Sequence, residues 1–392
     1  MSSQSDLWPA HLRSDKPFPE RQSSTAQDKI VHGRRRFLGA AAIMAAIPQS
    51  RTVGAANAQG GGNGSGQGGG TRRAIQRPIA PGTNTTYLTL KQINAGVLDV
   101  GYAETGPARG PVVVLLHGWP YDIHSYVDVA PLLASAGYRV IVPYLRGYGT
   151  TRFLSGDTPR NGQQSVFAVD VVALMDALKI ERAIVAGFDW GARTANIIAA
   201  LWPERCQALV SVSGYLIGSP EANKTPLPPK AELAWWYQFY FATHRGRAGY
   251  EKYRHDFAKL IWRIASPQWD FDDATFERSA KAFDNLDHVS IVIDNYRWRI
   301  GLVQGEPEYD AIEKRLAEAP VINVPTITLE GDANGAPHPD PAAYAKYFSG
   351  KYRHRLITGG IGHNLPQEAP RAFAQAVVEA DGYGRPSSRT HD

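Results

Sequence analysis

Gly187-Phe188-Asp189-Trp190-Gly191-Ala192-Arg193 follows the apolar run Ala183-Ile184-Val185-Ala186 and opens a stretch from Ala192 to Trp202 with Ala, Ile and Leu at helical spacing. A buried strand, a sharp turn and a helix in that order form a nucleophile elbow, which presents one reactive side chain above the end of a parallel sheet. Gly187 and Gly191 suit such a turn, because strand and helix there leave no room for a Cβ. The presented residue is Asp189, where Ser is the commoner choice. A carboxylate attacking saturated carbon forms an alkyl ester, so carbon–heteroatom cleavage is expected rather than acyl transfer. A tight turn with a solvated Asp would fit the same residues, so the reading depends on partners elsewhere in the chain.

Further motifs follow other apolar strand signals. His117-Gly118-Trp119-Pro120 comes after Val112–Leu116, and its Trp119 N–H can converge with that of Trp190 as an oxyanion hole. Gly360-Ile361-Gly362-His363-Asn364-Leu365-Pro366-Gln367-Glu368 follows the last strand signal. His363 in this Gly-rich loop suits a general base that reaches a water above the nucleophile. Glu330-Gly331-Asp332-Ala333-Asn334-Gly335 follows Pro325–Leu329, and Asp332 is expected to orient His363 and stabilise its imidazolium. Glu330 and Asp340 are the local rivals, Asp340 standing between two prolines in a more structural setting. The chain order Asp189, Asp332, His363 runs nucleophile, acid, histidine. No carboxylate follows Ala208–Val212, the other position from which such an acid could act.

Around these motifs the chain reads as an α/β protein, a mostly parallel sheet covered by helices on both faces. Strands are expected over Tyr87–Ile93, Leu98–Ala103, Val112–Leu116, Arg139–Pro143, Arg182–Gly187, Ala208–Val212, Pro325–Leu329 and His354–Thr358. Helices are expected over Ser125–Ala136, Val166–Leu178 and Glu368–Glu379, with another near Pro341–Phe348. Residues 214–321 are helical and aromatic-rich, too long for a loop, and read as a helical cap inserted after the sixth strand. The core is then 86–213 and 322–382, followed by a tail at 383–392. The binding pocket is expected between cap and sheet.

Charge is unevenly placed. The 392 residues carry 42 Lys and Arg against 37 Asp and Glu, but residues 1–77 hold eleven of the former and only four of the latter. The remaining 31 basic and 33 acidic residues nearly balance, which gives no support to nucleic-acid binding. The N-terminal excess includes Gly33-Arg34-Arg35-Arg36-Phe37-Leu38, which resembles a twin-arginine export motif. An Ala-rich segment to about Ile47, too short and weakly apolar to span a bilayer, leads to Ala56-Asn57-Ala58, a small-x-small cleavage pattern. Residues 1–58 are thus expected to be a signal peptide, with the twin-arginine machinery as partner and a periplasmic or secreted product without a stable membrane anchor. Residues 59–85 begin Gly-rich and read as a flexible linker. The single Cys206 permits no internal disulfide and is expected to be a small core residue. No metal cluster or phosphate-cradling loop is visible, so no cofactor is expected.

Residues 86–382 resemble the α/β-hydrolase superfamily, in the epoxide-hydrolase and dehalogenase branch with an Asp nucleophile. The shared motifs are His117-Gly118-Trp119-Pro120, Leu145-Arg146-Gly147-Tyr148-Gly149, Gly187-Phe188-Asp189-Trp190-Gly191, Asp332 and Gly362-His363. The resemblance implies that Asp189 becomes an alkyl ester, which water activated by His363 then hydrolyses. Epoxide hydrolases protonate the leaving oxygen with two lid tyrosines, whose phenol pKa near 10 keeps them protonated at neutral pH. Tyr237-Gln238-Phe239-Tyr240-Phe241 and Asp294-Asn295-Tyr296-Arg297 resemble those motifs, which implies Tyr237 and Tyr296 as donors, with Tyr240 the rival to Tyr237. A small apolar epoxide is the substrate expected, opened to a vicinal diol.

Two alternatives accompany this reading. A haloalkane or haloacid dehalogenase would use the same Asp189 and His363 on a halogenated substrate. The Arg that fluoroacetate dehalogenases place after the nucleophile is Trp190 here, and their lid His-Trp pair is Tyr237-Gln238. Arg193 could still greet an acidic substrate or form a salt bridge on its helix, and Trp236 is read with it as substrate-binding. A periplasmic binding protein without turnover is the second alternative, and the intact nucleophile, base and acid argue against it.

Overall fold

Continuous apolar runs such as Val112–Leu116 and Ala183–Gly187 mark strands buried on both faces, and they sit at the centre of the sheet. The computed structural model describes residue 87 and residues 89–383. The expected signal peptide, its cleavage site, nearly all of the linker and the tail beyond residue 383 lie outside the described residues. Among the described residues, nine strands form one sheet: β1 (Leu90–Ala95), β2 (Leu98–Thr105), β3 (Val112–Leu116), β4 (Arg139–Pro143), β5 (Arg152–Phe153), β6 (Ala183–Gly187), β7 (Cys206–Val212), β8 (Thr326–Gly331) and β9 (Tyr352–Ile357). Their order is β1-β2-β4-β3-β6-β7-β8-β9, with β5 paired to β2. The pairs from β4 to β9 are parallel, and β1 and β5 join β2 antiparallel, as does β4.

Helices α1 (Val129–Ser135), α2 (Gln164–Ala177) and α3 (Trp190–Leu201) connect the strands of the first half. Six helices then fill the interval between β7 and β8: α4 (Pro229–Ala234), α5 (Trp236–Phe241), α6 (His244–Ala265), α7 (Asp273–Ala280), α8 (His288–Arg299) and α9 (Asp310–Ala317). Helices α10 (Pro341–Tyr344), α11 (Leu365–Glu368) and α12 (Pro370–Tyr383) complete the chain. Contacts join α2 to α3 and α3 to the central strands, while α1 and α12 pack together elsewhere on the sheet.

Several boundaries differ from the expected ones for local reasons. β7 is the seventh strand in chain order, not the sixth, because β5 has two residues and is too short to show periodicity. The helix expected over Ser125–Ala136 is a 3-10 turn at Ile123–Tyr126 followed by α1, the turn being capped by the Asp122 side chain. The final helix is broken at Ala369 into α11 and α12, the break falling before Pro370. Cys206 begins β7, fully buried, and burial pushes its thiol up to about 12.

The cap helices are tied to the core by both side-chain and backbone hydrogen bonds. Trp262 on α6 donates its Nε1–H to the Pro120 carbonyl at 2.7 Å. Asn285 donates to the Thr151 carbonyl at 2.7 Å, and the Gly149 N–H donates to the Ala282 carbonyl. Arg146, of the Leu145–Gly149 motif, is buried and forms a bidentate pair with Asp170 at 2.6 and 2.7 Å. Its remaining nitrogen reaches the Asn161 side chain and carbonyl, so this buried cation is fully matched and fixes the loop under the cap.

Candidate active site

The β6–α3 turn places Asp189 at φ 53° and ψ −124°, a region that L-residues avoid, at a cost of order 1–3 kcal/mol. The turn is held open by steric necessity: a Cβ on Gly191 would lie 1.9 Å from the Leu116 carbonyl oxygen. The parallel register of β3 beside β6 brings the chain after Leu116 against this turn. The Trp119 N–H therefore donates to Asp189 Oδ1 at 2.8 Å. A Cβ on Gly118 would meet that same oxygen at 2.3 Å, so only glycine lets the two loops approach. Asp189 Oδ2 lies 3.4 Å from His363 Nε2. Burial alone would raise the Asp189 carboxyl, but His363 and the N–H groups of Trp119 and Trp190 outweigh it and hold it below its ordinary value. The side chain is thus an anion, with one oxygen in a nest of N–H groups and the other beside an imidazole.

His363 is 8% exposed, and its Nδ1 has no hydrogen-bond partner. The contact expected from Asp332 is not made. Asp332 is exposed and accepts from the N–H groups of Gly359, Gly360 and Ile361 at 2.9 Å each. Gly359 and Gly360, at φ 114° and 81°, turn these amides towards the end of β8, where they capture the carboxylate. Those bonds, the one from Gly359 first, hold Asp332 below its ordinary value. The rivals are engaged too: Glu330 accepts from Asn334 at 2.7 Å, and Asp340 caps α10.

A different carboxylate organises the histidine loop. Glu368 is 8% exposed and accepts from Ser266 Oγ and from the Gly362 N–H, each at 2.7 Å. Ser266 Oγ in turn accepts from the His363 N–H at 3.0 Å. Burial raises the Glu368 carboxyl, with these donors opposing the shift. Ser266 caps the end of α6, so the cap and the histidine loop meet through its hydroxyl and through the Ala265 carbonyl, which also accepts from the His363 N–H at 3.2 Å. Glu368 stands in the same Gly360–Glu368 segment as His363, five residues on, but nothing in the sequence around Ser266 pairs it with that loop.

A cavity of about 130 Å³ lies over Asp189 and His363, lined also by Trp119, Arg193, Tyr237 and Tyr296. The Tyr237 and Tyr296 rings meet edge to face with centroids 5.3 Å apart. Burial, and then the other charges nearby including Asp189, raise both phenols, so both are protonated donors at neutral pH. Tyr240 instead stacks on Phe257. Trp236 also packs on Phe257, and its neighbour Trp235 is the one that lines the cavity. Arg193 lines it as well and donates Nε–H to the Leu216 carbonyl at 3.1 Å, rather than pairing with a helix carboxylate. Arg299, which the sequence did not single out, lines the same cavity.

The Trp119 indole lines this space but commits its N–H elsewhere. Trp119 donates Nε1–H to Tyr250 Oη at 2.8 Å, and Tyr250 lies 2.9 Å from His288 Nε2. His288 Nδ1 is 2.9 Å from the Gly147 carbonyl, which fixes the proton on Nδ1 and makes Nε2 the acceptor. The hydrogen-bond direction therefore runs from Trp119 through Tyr250 to His288. Trp190 packs its indole against Phe167, Tyr148 and Tyr296, with Nε1 buried.

Sheet order, elbow and inserted cap define an α/β hydrolase, and the sequence profile of the alpha/beta hydrolase fold matches residues 111–248. A solved structure from Klebsiella pneumoniae, assigned as an epoxide hydrolase, is 66% identical, covers 75% of this chain and 97% of its own, and superposes with a TM-score of 0.74. The chain belongs to the α/β-hydrolase family. Epoxide hydrolase B of Mycobacterium tuberculosis is 39% identical over 150 residues, which are 35% of this chain and 42% of that protein. The match thus spans about two fifths of that relative's length. Epoxide hydrolase A of the same organism is 26% identical over 321 residues, 74% of this chain and 96% of that one.

Proposed function

We propose that the protein hydrolyses epoxides to vicinal diols through an ester on Asp189. The observation that carries this reading is the pair of protonated tyrosines facing the same cavity as an anionic, half-buried Asp189. Similarity to proteins named epoxide hydrolases supports it. Oδ2, the oxygen outside the Trp119 contact, attacks a ring carbon. The C–O bond breaks with its electron pair on oxygen, and a phenol of Tyr237 or Tyr296 supplies the proton. Water then adds to the ester carbonyl as His363 Nε2 takes its proton, and Oδ1 carries the oxyanion against the Trp119 and Trp190 N–H groups. Collapse releases the diol and restores the carboxylate, while the imidazolium returns the proton lost by the tyrosine. Asp332, bound to its own loop, enters no step.

Carbon–halogen cleavage needs an N–H donor for the departing halide; the Trp119 indole is committed to Tyr250, and Trp190, whose Nε1 has no partner among the described residues, is not among the residues lining the cavity. A phenol that protonates an alkoxide gives a stable alcohol, whereas a halide needs no proton. Styrene oxide and a chloroalkane offered in parallel should therefore yield diol and no chloride. Tyr237→Phe or Tyr296→Phe should lower kcat by about 10²-fold or more, the usual weight of a general acid. Chloride release at a rate matching or exceeding diol formation would overturn the reading.

A further inference from the structure

Two guanidinium groups share the cavity with Asp189, and neither has a carboxylate partner among the described residues. Arg193 stands one turn after Asp189 on α3 and spends only its Nε–H, on the Leu216 carbonyl. Arg299, at the end of α8, lies over the Trp235 ring at 4.7 Å. Arg146, buried under the cap, is by contrast matched by Asp170 and Asn161. Two guanidinium groups in one cavity repel each other, and both are only half-buried, so their heads are open to an anion that enters the cavity. Burial and the charge of Arg299 push Arg193 down to about 10. Asp189 is the one carboxylate among the residues lining the cavity, and alkylation would convert it to a neutral ester. The two cations would then face the adduct with no counter-charge unless the substrate brought one.

We propose that the site takes oxiranes bearing a carboxylate, and that Arg193 and Arg299 hold that carboxylate while Asp189 opens the ring. This rests on the epoxide reading above and names its substrate class. A guanidinium suits the task because its fixed fork matches a carboxylate, and Trp235 keeps that of Arg299 in place without consuming a donor. A neutral oxirane of the same shape would leave both cations unmatched.

The test compares glycidate with its neutral isostere glycidamide in the full chain, for wild type, Arg193→Gln, Arg299→Gln and Arg299→Lys. Wild type should favour glycidate in kcat/KM by at least about tenfold, the range of a charged hydrogen bond. Each Gln variant should remove most of that preference, and Arg299→Lys should restore part of it. Should Arg193→Gln fail to fold, Arg299, half-buried at a helix end, carries the comparison. Calorimetric binding of cyclopropanecarboxylate against cyclopropanecarboxamide to Asp189→Asn separates the two levels of the account. Arg-dependent carboxylate binding with no oxirane turnover would uphold the anion site and sink the epoxide reading. Glycidamide turnover with equal handling of acid and amide, unchanged in the Arg variants, would uphold the epoxide reading and overturn this proposal.

Discussion

At the scale of single residues, the site pairs committed polar atoms with a few left open, among them His363 Nδ1. Asp189 remains ionised in a buried setting because an imidazole and backbone N–H groups outweigh its desolvation. Trp119 offers its backbone to Asp189 and its side chain to Tyr250, so the sequence motif has two separate jobs. Asp332 is where a reading by position misleads. The strand end was right, but three amides at 359–361 claim the carboxylate. Asp332→Asn should accordingly lower kcat less than tenfold, a factor below about 1.4 kcal/mol of barrier, while loosening the 359–361 turn. Steady-state kinetics beside a denaturation midpoint would check this. A loss of a thousandfold or more would mean that Asp332 swings to His363 during turnover.

At the scale of elements, strand ends and one helix end meet. The elbow and its glycines were legible because steric demands at Gly187 and Gly191 are local and leave a short motif. The cap's ties were not legible, since Ser266, Trp262 and Tyr250 of α6 reach partners more than a hundred residues away. Likewise Trp235, not Trp236, lines the cavity; helix phase within six aromatic-rich residues depends on where α4 gives way to α5. Ser266→Ala tests the cap tie. It leaves buried Glu368 short of one donor and the His363 N–H short of one acceptor, a cost of about 1–3 kcal/mol. Urea unfolding should show that loss, and kcat should fall with it as His363 loses its station. Unchanged stability would remove Ser266 from the account.

Across the whole molecule, the alternation of apolar strands and helices foretold the parallel sheet, and the long aromatic interval foretold helices between β7 and β8. The fold also sets a dependence on pH. Burial holds His117 at about 4 and His288 at about 3, so both are neutral in the native state. The unfolded chain takes up these protons near pH 6.5 and binds more of them than the fold does below that value. Stability should then fall as pH drops from about 6.5 towards 4, by on the order of 2 kcal/mol per histidine at pH 5. The depressed Asp189 acts in the same sense at still lower pH, its contribution being present above the unfolded carboxylate range and lost as pH falls through its folded value. Denaturation midpoints from pH 7 to 4.5 measure the slope, and a flat profile would contradict neutral burial of both rings.

The claim on which the rest depends is that Asp189 carries a covalent ester between two chemical steps. His363→Gln removes the base for the second step and leaves the first intact. Brief incubation of that variant with glycidate or styrene oxide, followed by intact-protein mass measurement, should show one added substrate mass, located by peptide mapping on Asp189. The same treatment of Asp189→Asn should show none. A folded His363→Gln protein that gains no mass from any of several epoxides would contradict the account.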